Sequence, residues 1–316
     1  QQLGSYTLER KIGQGGMAKV YLARHAMLKR PTAVKVLENT KPTVVKLFEH
    51  EVQQTSRLSH PNTIAIYDYG LTPEGRFYYA MEFLDGINLK ELLRMSGPLP
   101  PNRARHILIQ MCGSLSEAHN AGLIHRDIKP ANAILCERGG NYDVVKVCDF
   151  GLVTDFATGE RTDDHKPAVV GTPRYMAPEA FKASSKIDPR TDIYSLGVLA
   201  YFLLTGKTPF MGKTIKDLAR AHLKEAPPPP SHHVKTIPAD MEDLILQCME
   251  KKPENRPQSA ETLQDALHGI KDIGAWTRRE TRDWWHQHLP DKLRKTHWSP
   301  EPPKPEDICG RLMIQN

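Results

Sequence analysis

Two charged residues near the start of the chain, Lys35 and Glu51, occupy positions where a lone charge is unfavourable. In a strand, Lys35 shares a face with the apolar Ala33 and Leu37, and an unpaired ammonium group is costly in such a setting. Glu51 follows Phe48 by three positions, so its carboxylate lies on or beside the apolar face of a helix. We therefore expect Lys35 and Glu51 to form an ion pair. The alternative is that each side chain reaches solvent separately.

A glycine-rich loop precedes this lysine. Gly13, Gly15 and Gly16 lie between two strand-like runs, whereas the dinucleotide-binding fingerprint joins a strand to a helix. The position of the loop therefore disfavours a dinucleotide-binding fold. Taken alone, these glycines are equally consistent with an ordinary hairpin turn.

Acidic residues, a lysine and an amide follow in the middle of the chain. The run HRDIKPAN contains Asp127, Lys129 and Asn132, and Asp149 opens the run DFG seventeen residues after Asn132. Taken alone, Asp127 and Asp149 could be turn or cap residues. Together with GQGGMAKV, AVK and APE, in the family's order, the two runs resemble the motif set of eukaryotic-type (Hanks-type) protein kinases. The resemblance covers about residues 6 to 270.

The resemblance implies a binding site for ATP. Backbone amides of the glycine-rich loop would cover the phosphates, and Lys35, held by Glu51, would contact the α and β groups. The backbone from Glu82 to Leu84 would receive the adenine, and Met81 is either the side chain that guards the pocket or plain core. The nucleotide-binding residues implied in this way are Ile12, Gly13, Gln14, Gly15, Gly16, Met17, Ala18, Lys19, Val20, Lys35, Glu82 and Leu84.

The resemblance also implies how a phosphoryl group would reach a hydroxyl. Asp127 would orient the attacking hydroxyl and accept its proton, with Lys129 as a nearby point charge on the transferred group. Asn132 and Asp149 would hold Mg²⁺ ions that neutralise charge during the transfer. The implied catalytic residues are thus Asp127, Lys129, Lys35 and Glu51, and the implied metal ligands are Asn132 and Asp149.

The substrate class follows from two further similarities. Lys129, together with Gly171-Thr172-Pro173 before APE, resembles the serine/threonine branch of the family, and GGMAKVYLARH resembles its bacterial members. We therefore expect transfer of the γ-phosphoryl group of Mg-ATP to serine and threonine hydroxyls of proteins, including the chain itself. Two alternatives stay open. A pseudokinase scaffold would not need all the implied catalytic and metal-binding residues, and small-molecule kinases typically lack the APE segment.

Regulation is less clearly specified than activity. In this family, Arg126 belongs to a basic pocket that a phosphorylated activation segment fills. Thr162 is the nearest hydroxyl of that segment, and Thr158 is the second. The acids that follow Thr162 either replace part of the phosphate charge or form a solvated acidic loop.

Hydrophobic periodicity predicts a small first lobe. Residues 6 to 37 contain three strand-like pieces, and two more strands follow a segment of helical period. The apolar face of that helix, which should end near His60, is formed by Val44, Phe48, Val52 and Thr55. We expect a five-stranded N-lobe over about residues 6 to 84 with this one main helix, and a hinge near Glu82 to Gly86.

The rest of the domain has mostly helical periodicity. A larger C-lobe is expected over about residues 87 to 270, interrupted by a strand pair at 133 to 136 and 144 to 148. The resemblance pairs Glu179 of APE with Arg256. It also assigns Asp192, at the start of a helix, to support of the catalytic loop. The predicted fold is therefore α+β, a two-lobed protein kinase fold within residues 1 to 270.

Residues 271 to 316 form a tail that contains all four tryptophans and a proline-rich stretch. A helix that carries Ile273, Trp276 and Trp284 on one side is consistent with helical spacing, although Glu280 interrupts it. The tail has three candidate docking surfaces: its own catalytic lobe, another protein, and a membrane interface. We favour the catalytic lobe, because exposed tryptophan clusters promote aggregation.

Composition excludes several protein classes. The net charge of +6 is mild for 316 residues with both signs interspersed, so no nucleic-acid partner is expected. The five cysteines are odd in number and widely spaced, which predicts a reducing, cytoplasmic compartment. The longest apolar run, Ser195 to Leu204, is too short for a membrane span and fits a buried helix. Because the chain begins at Gln1 without an initiator methionine, an anchor outside these residues stays open.

Overall fold

The computed structural model describes residues 2–15, 18–38, 41–72, 74–150, 172–182 and 186–289. The expectations for Gly16, Met17, Thr158 and Thr162 fall outside these ranges. Within them, an antiparallel sheet with one helix is followed by a mostly helical region. The two-lobed α+β architecture expected from the sequence is therefore confirmed.

The N-lobe is built on one antiparallel sheet with the strand order β1-β2-β3-β4-β6-β5. Its strands are β1 Gln2–Leu3, β2 Tyr6–Gln14, β3 Ala18–His25, β4 Pro31–Leu37, β5 Ile66–Leu71 and β6 Phe77–Glu82. The expected five strands are β2 to β6, and β1 is an additional strand that was not predicted. It forms because Leu3 pairs with Tyr6 and buries its side chain against the outer face of the sheet.

The helix α1, Pro42–Thr55, covers one face of this sheet. Side chains along β6 alternate, so Phe77 and Tyr79 pack towards α1 while Tyr78 and Ala80 pack on the opposite face. The predicted apolar face of α1 is confirmed, since its four residues are all buried.

The predicted end of α1 near His60 was wrong. The helix ends at Thr55, and the amides of residues 56–58 still donate to carbonyl oxygens of its last turn. The amides of Ser59 and His60 donate to the carboxylate of Glu117 on a C-lobe helix instead of to helical carbonyls.

The C-lobe core is mostly helical. Its helices are α2 Leu89–Ser96, α3 Pro101–Asn120, α4 Arg190–Thr205, α5 Ile215–Lys224, α6 Ala239–Cys248 and α7 Ala260–Gly269. Nearly every residue of α4 is buried, which confirms the buried helix expected from its apolar run. In the part of the chain that the structure describes, no helix is long and apolar enough to cross a membrane.

A second, three-stranded sheet joins the lobes next to the hinge. It consists of β7 Gly86–Asn88, β8 Ala133–Arg138 and β9 Asn141–Val147, and the predicted strand pair is β8 with β9. Gly86 is required for close packing here, because a Cβ atom at this position would lie 2.1 Å from the carbonyl oxygen of Leu135. The hinge is thus fastened directly to β8.

The tail contributes one more helix, α8, Arg278–His288. Thr277 and Glu280 form a capping box at its start, so Glu280 begins this helix rather than interrupting a longer one, and Trp276 precedes it. The helix packs beside β9, and Trp285 is only 1% exposed.

Candidate active site

Lys35 and Asp149 meet across the cleft between the two sheets. The Nζ atom of Lys35, on β4, lies 2.6 Å from Oδ1 of Asp149, which directly follows Cys148 at the end of β9. Burial disfavours the charged form of both groups. Each charge outweighs that effect for the other, so the pKa of Lys35 is raised and the pKa of Asp149 is lowered. Both groups are therefore charged at neutral pH.

The expected ion pair between Lys35 and Glu51 is not formed. Among the described residues, the carboxylate within ion-pair distance of Lys35 belongs to Asp149. The physical requirement behind the prediction was correct, because Lys35 lies in a largely buried strand and has an anionic partner. Local periodicity on α1 could not indicate that a residue 114 positions away would supply it.

The loop of residues 125–132, which the resemblance identifies as the catalytic loop, is held by Asp192 in the first turn of α4. Its two carboxylate oxygens accept hydrogen bonds from the backbone amides of His125 and Arg126, each at 2.8 Å. The role expected for Asp192 is therefore confirmed. These bonds hold a strained backbone, because Arg126 has a φ of 63° in the left-handed region. His125 also contacts the carbonyl oxygen of Cys148 at 2.9 Å, which joins the loop to Asp149.

Asp127 lies at the centre of the loop and is surrounded by donors. Lys129 and the side-chain amide of Asn132 donate to its Oδ2 atom. The amide and hydroxyl of Thr172 donate to its Oδ1 atom at 3.2 and 3.1 Å. The structure thus brings together three of the residues that the motif HRDIKPAN singled out. Thr172 was noted in the sequence as part of Gly-Thr-Pro but was not assigned to the site.

Asn132 and Asp149 have oxygens that suit a hard divalent cation. The nitrogen of the Asn132 side chain donates to Asp127, and only Oδ1 of Asp149 contacts Lys35. Oδ1 of Asn132 and Oδ2 of Asp149 accept no hydrogen bond from the described part of the chain. Carboxylate and amide oxygens are the ligands that Mg²⁺ prefers, so these residues fit a metal ion.

The glycine-rich loop closes a hairpin between β2 and β3. Gly13 pairs with Val20 and Gln14 with Lys19, and the amide of Gly15 donates to the carbonyl oxygen of Ala18 at 2.9 Å. The hairpin interpretation is confirmed. It places Ala18, Lys19 and Val20 next to β4, because Val20 pairs directly with Lys35.

The side chain of Glu82, at the hinge, is buried, and both of its carboxylate oxygens have partners. One carboxylate oxygen lies 2.7 Å from Nζ of Lys146 and accepts the amide of Ala65, and the other accepts Nη2 of Arg138 at 2.8 Å. The sequence predicts a role only for the backbone of this segment. Arg138 and Lys146 could not be predicted, because no local pattern links these residues of β8 and β9 to a hinge more than fifty positions earlier.

The Glu179 and Arg256 pair expected from the APE segment is confirmed. The guanidinium group of Arg256 binds both carboxylate oxygens of Glu179 at 2.7 and 2.8 Å. Burial raises the pKa of Glu179, but the hydrogen bond and charge of Arg256 outweigh it, and the net shift is downward. Bidentate pairing of this kind fixes the APE segment on the C-lobe.

Comparisons with known proteins agree with this geometry. The family model for the protein kinase domain matches residues 6–267. The serine/threonine-protein kinase pkn3 of Myxococcus xanthus is 39% identical over 273 residues, which cover 84% of this chain and 50% of that protein. PknB of Mycobacterium tuberculosis is 38% identical over 268 residues, which cover 83% of this chain and 42% of that protein.

The chain spans half or less of the length of these curated relatives. The family match nevertheless covers most of the chain and all of the site described above. The chain therefore belongs to the protein kinase family.

Proposed function

We propose that this chain is a serine/threonine-protein kinase domain that transfers the γ-phosphoryl group of Mg-ATP to proteins, including itself. The observation that carries the proposal is the convergence of Asp127, Lys129 and Asn132 beside the Lys35 and Asp149 pair. The serine/threonine specificity in the names of the similar bacterial proteins supports the substrate class.

In this mechanism Asp127 orients the acceptor hydroxyl and takes its proton on the carboxylate. Lys129, which already contacts Asp127, stabilises negative charge on the transferred group. Lys35 contacts the α- and β-phosphates. We still propose Glu51 as a second partner of Lys35 during catalysis, because Glu51 lies on α1, which packs against the sheet that carries Lys35.

Protein kinases use ATP and a divalent metal, and we propose Mg²⁺ as that metal. Asn132 and Asp149 would hold it through the oxygens described above. A bound Mg²⁺ ion neutralises phosphate charge during transfer. The glycine-rich loop from Ile12 to Val20 would cover the phosphates, and the hinge backbone from Glu82 to Leu84 would receive the adenine.

A surface cleft borders the loop that carries Asp127. It has a volume of about 830 Å³, lies between α2 and the end of α4, and has Ala131 of the catalytic loop in its wall. We propose that a segment of the acceptor polypeptide binds in this cleft. We also propose a cytoplasmic location for this domain, which the free cysteines Cys112, Cys136, Cys148 and Cys248 support.

The proposal is tested by incubating the chain with Mg²⁺, γ-labelled ATP and an unfolded protein rich in serine and threonine. We expect label on serine and threonine hydroxyls, mapped by mass spectrometry. Label that appears on a small-molecule acceptor but on no protein would favour a small-molecule kinase. Nucleotide binding without any transfer would favour a pseudokinase scaffold.

A further inference from the structure

A buried carboxylate far from the reacting groups binds the tail. Asp143, on β9, has no exposed surface and a φ of 52°. It accepts Nε and Nη2 of Arg103 at 2.9 and 3.0 Å. It also accepts the indole N–H groups of Trp276 at 2.9 Å and Trp285 at 2.7 Å. Half of the donors to this carboxylate therefore come from the tail.

The tail also covers the cation of this pair. The guanidinium carbon of Arg103 lies 4.0 Å from the ring centroid of Trp284 and 5.1 Å from that of Trp276. Both distances are within the range of cation–π attraction. We call the cluster of Arg103, Asp143, Trp276, Trp284 and Trp285 the indole clamp.

The clamp means that the tail contributes to the stability of the folded domain. A buried ion pair recovers the cost of leaving water only when further hydrogen bonds satisfy its remaining lone pairs. The indoles of Trp276 and Trp285 supply those bonds to Asp143, and removal of the tail would leave the pair without them. A further contact joins Nη2 of Arg278 to the carbonyl oxygen of Gly140 at 3.0 Å, at the turn between β8 and β9.

The same hairpin reaches the hinge at its other side. Arg138 at the end of β8 and Lys146 on β9 hold the buried carboxylate of Glu82. Asp143 and Lys146 belong to one strand, so the clamp fixes the element that carries the hinge contacts. The tail, the hairpin and the hinge form a continuous series of packed and hydrogen-bonded groups.

We propose that the indole clamp positions the hinge for the nucleotide, with Asp143, Arg138 and Lys146 as positioning residues. The inference rests on the proposed function in one respect: it assumes that the hinge backbone binds the adenine ring of ATP. Hinge contacts are equally strong before and during phosphoryl transfer, so their loss raises KM for ATP and leaves kcat unchanged.

The test compares two changes in the full chain. Trp276→Phe with Trp285→Phe removes both indole donors and keeps aromatic rings. Trp284→Phe is the matched control for loss of an indole N–H, because that N–H makes no hydrogen bond to the described residues and a phenyl ring can still cover Arg103. Relative to the control, we expect the double variant to raise KM for ATP about five-fold, because only part of the free energy of the two lost hydrogen bonds is transmitted to the hinge. The kcat should be unchanged. Hydrogen exchange should also increase in residues 82–88 and 133–147.

A second variant covers the case in which the double variant does not fold. Arg138 is 42% exposed along its side chain, so Arg138→Met should leave the fold intact and raise KM for ATP, and Arg138→Lys should restore part of the loss. An Arg138→Met enzyme with unchanged KM would overturn the inference, as would a folded double variant whose KM and exchange equal those of the control. If the wild-type chain transfers no phosphate, the proposed function fails, and the exchange comparison still decides whether the clamp holds the hinge.

Discussion

Asp127 and Asp149 carry the same side chain into two different environments. Asp127 is surrounded by hydrogen-bond donors, whereas Asp149 contacts Lys35 through one oxygen and leaves the other without a hydrogen bond from the described residues. In the proposed function the two carboxylates have different roles, so their substitution should have different effects.

Asp149→Asn should weaken Mg²⁺-dependent nucleotide binding, because it removes the charge that a divalent cation requires. Asp127→Asn is the matched variant and should leave nucleotide binding largely intact. Titration calorimetry with ATP, with and without Mg²⁺, measures both. Equal Mg²⁺-dependent affinity in wild type and Asp149→Asn would contradict the metal assignment.

His222 provides a pH-dependent term in stability that is separate from catalysis. Its ring is fully buried among Phe181, Tyr194 and Phe210. Burial, and secondarily the positive charge of Lys251, lowers the pKa of His222 to about 4. The unfolded chain binds this proton with a pKa of about 6.5. The contribution of the neutral His222 ring to the free energy of unfolding is therefore complete above pH 6.5 and is lost as pH falls towards 4.

The free energy of unfolding should thus fall by about 2 kcal/mol more between pH 7 and pH 5 in wild type than in His222→Gln. Urea unfolding at the two pH values measures the difference. His268→Gln, at an exposed position of α7, controls for the loss of a histidine. The same pH dependence in His222→Gln and wild type would show that other groups are responsible.

At the level of elements, two ion pairs of the C-lobe predict a contrast in stability. Glu179 and Arg256 are buried between the APE segment and the loop before α7, whereas Asp188 and Arg190 are only partly buried at the start of α4. Removing one partner of a buried pair leaves an uncompensated charge, and this is far more costly than breaking a pair that water reaches.

Glu179→Gln should therefore lower the free energy of unfolding by about 3 to 5 kcal/mol. Asp188→Asn should lower it by no more than about 1 kcal/mol. Chemical denaturation of both variants gives the comparison. Similar losses of unfolding free energy in the two variants would mean that the buried pair stabilises the fold no more than the partly exposed pair does.

The elements also show which parts of the molecule local sequence determines. The face of α1 and the pairing of β8 with β9 follow from periodicity and turn residues, and both were predicted correctly. The path of the chain after α1 is held by Glu117, and β1 buries Leu3 against the sheet. Neither of these long-range interactions leaves a periodic pattern, so neither could be predicted.

The same limit applies to the site. The motifs identified Asp127, Lys129, Asn132, Lys35 and Asp149, and the structure brings these residues together. The partner of Lys35 and the donors to Asp143 were not predictable, since Trp285 contacts Asp143 across 142 positions of the chain. No sequence spacing between Asp143 and the tryptophans indicates that these residues are in contact in the folded protein.

At the scale of the whole molecule, the site lies where the two lobes and the hinge meet. The N-lobe contributes Lys35 from β4, and the C-lobe contributes the catalytic loop and Asp149. The hinge and the tail are connected behind them through β8 and β9. The central claim is that this arrangement transfers a phosphoryl group to protein hydroxyls with Asp127 as the base.

The most direct test is a single time course of protein phosphorylation. Wild-type chain and Asp127→Asn are incubated in parallel with Mg²⁺ and γ-labelled ATP, after calorimetry has established that both bind the nucleotide. We predict label on serine and threonine residues with the wild type, and a rate lower by about a hundred-fold or more with Asp127→Asn. Equal labelling by the two proteins, or no labelling by a wild-type chain that binds Mg-ATP, would contradict the account.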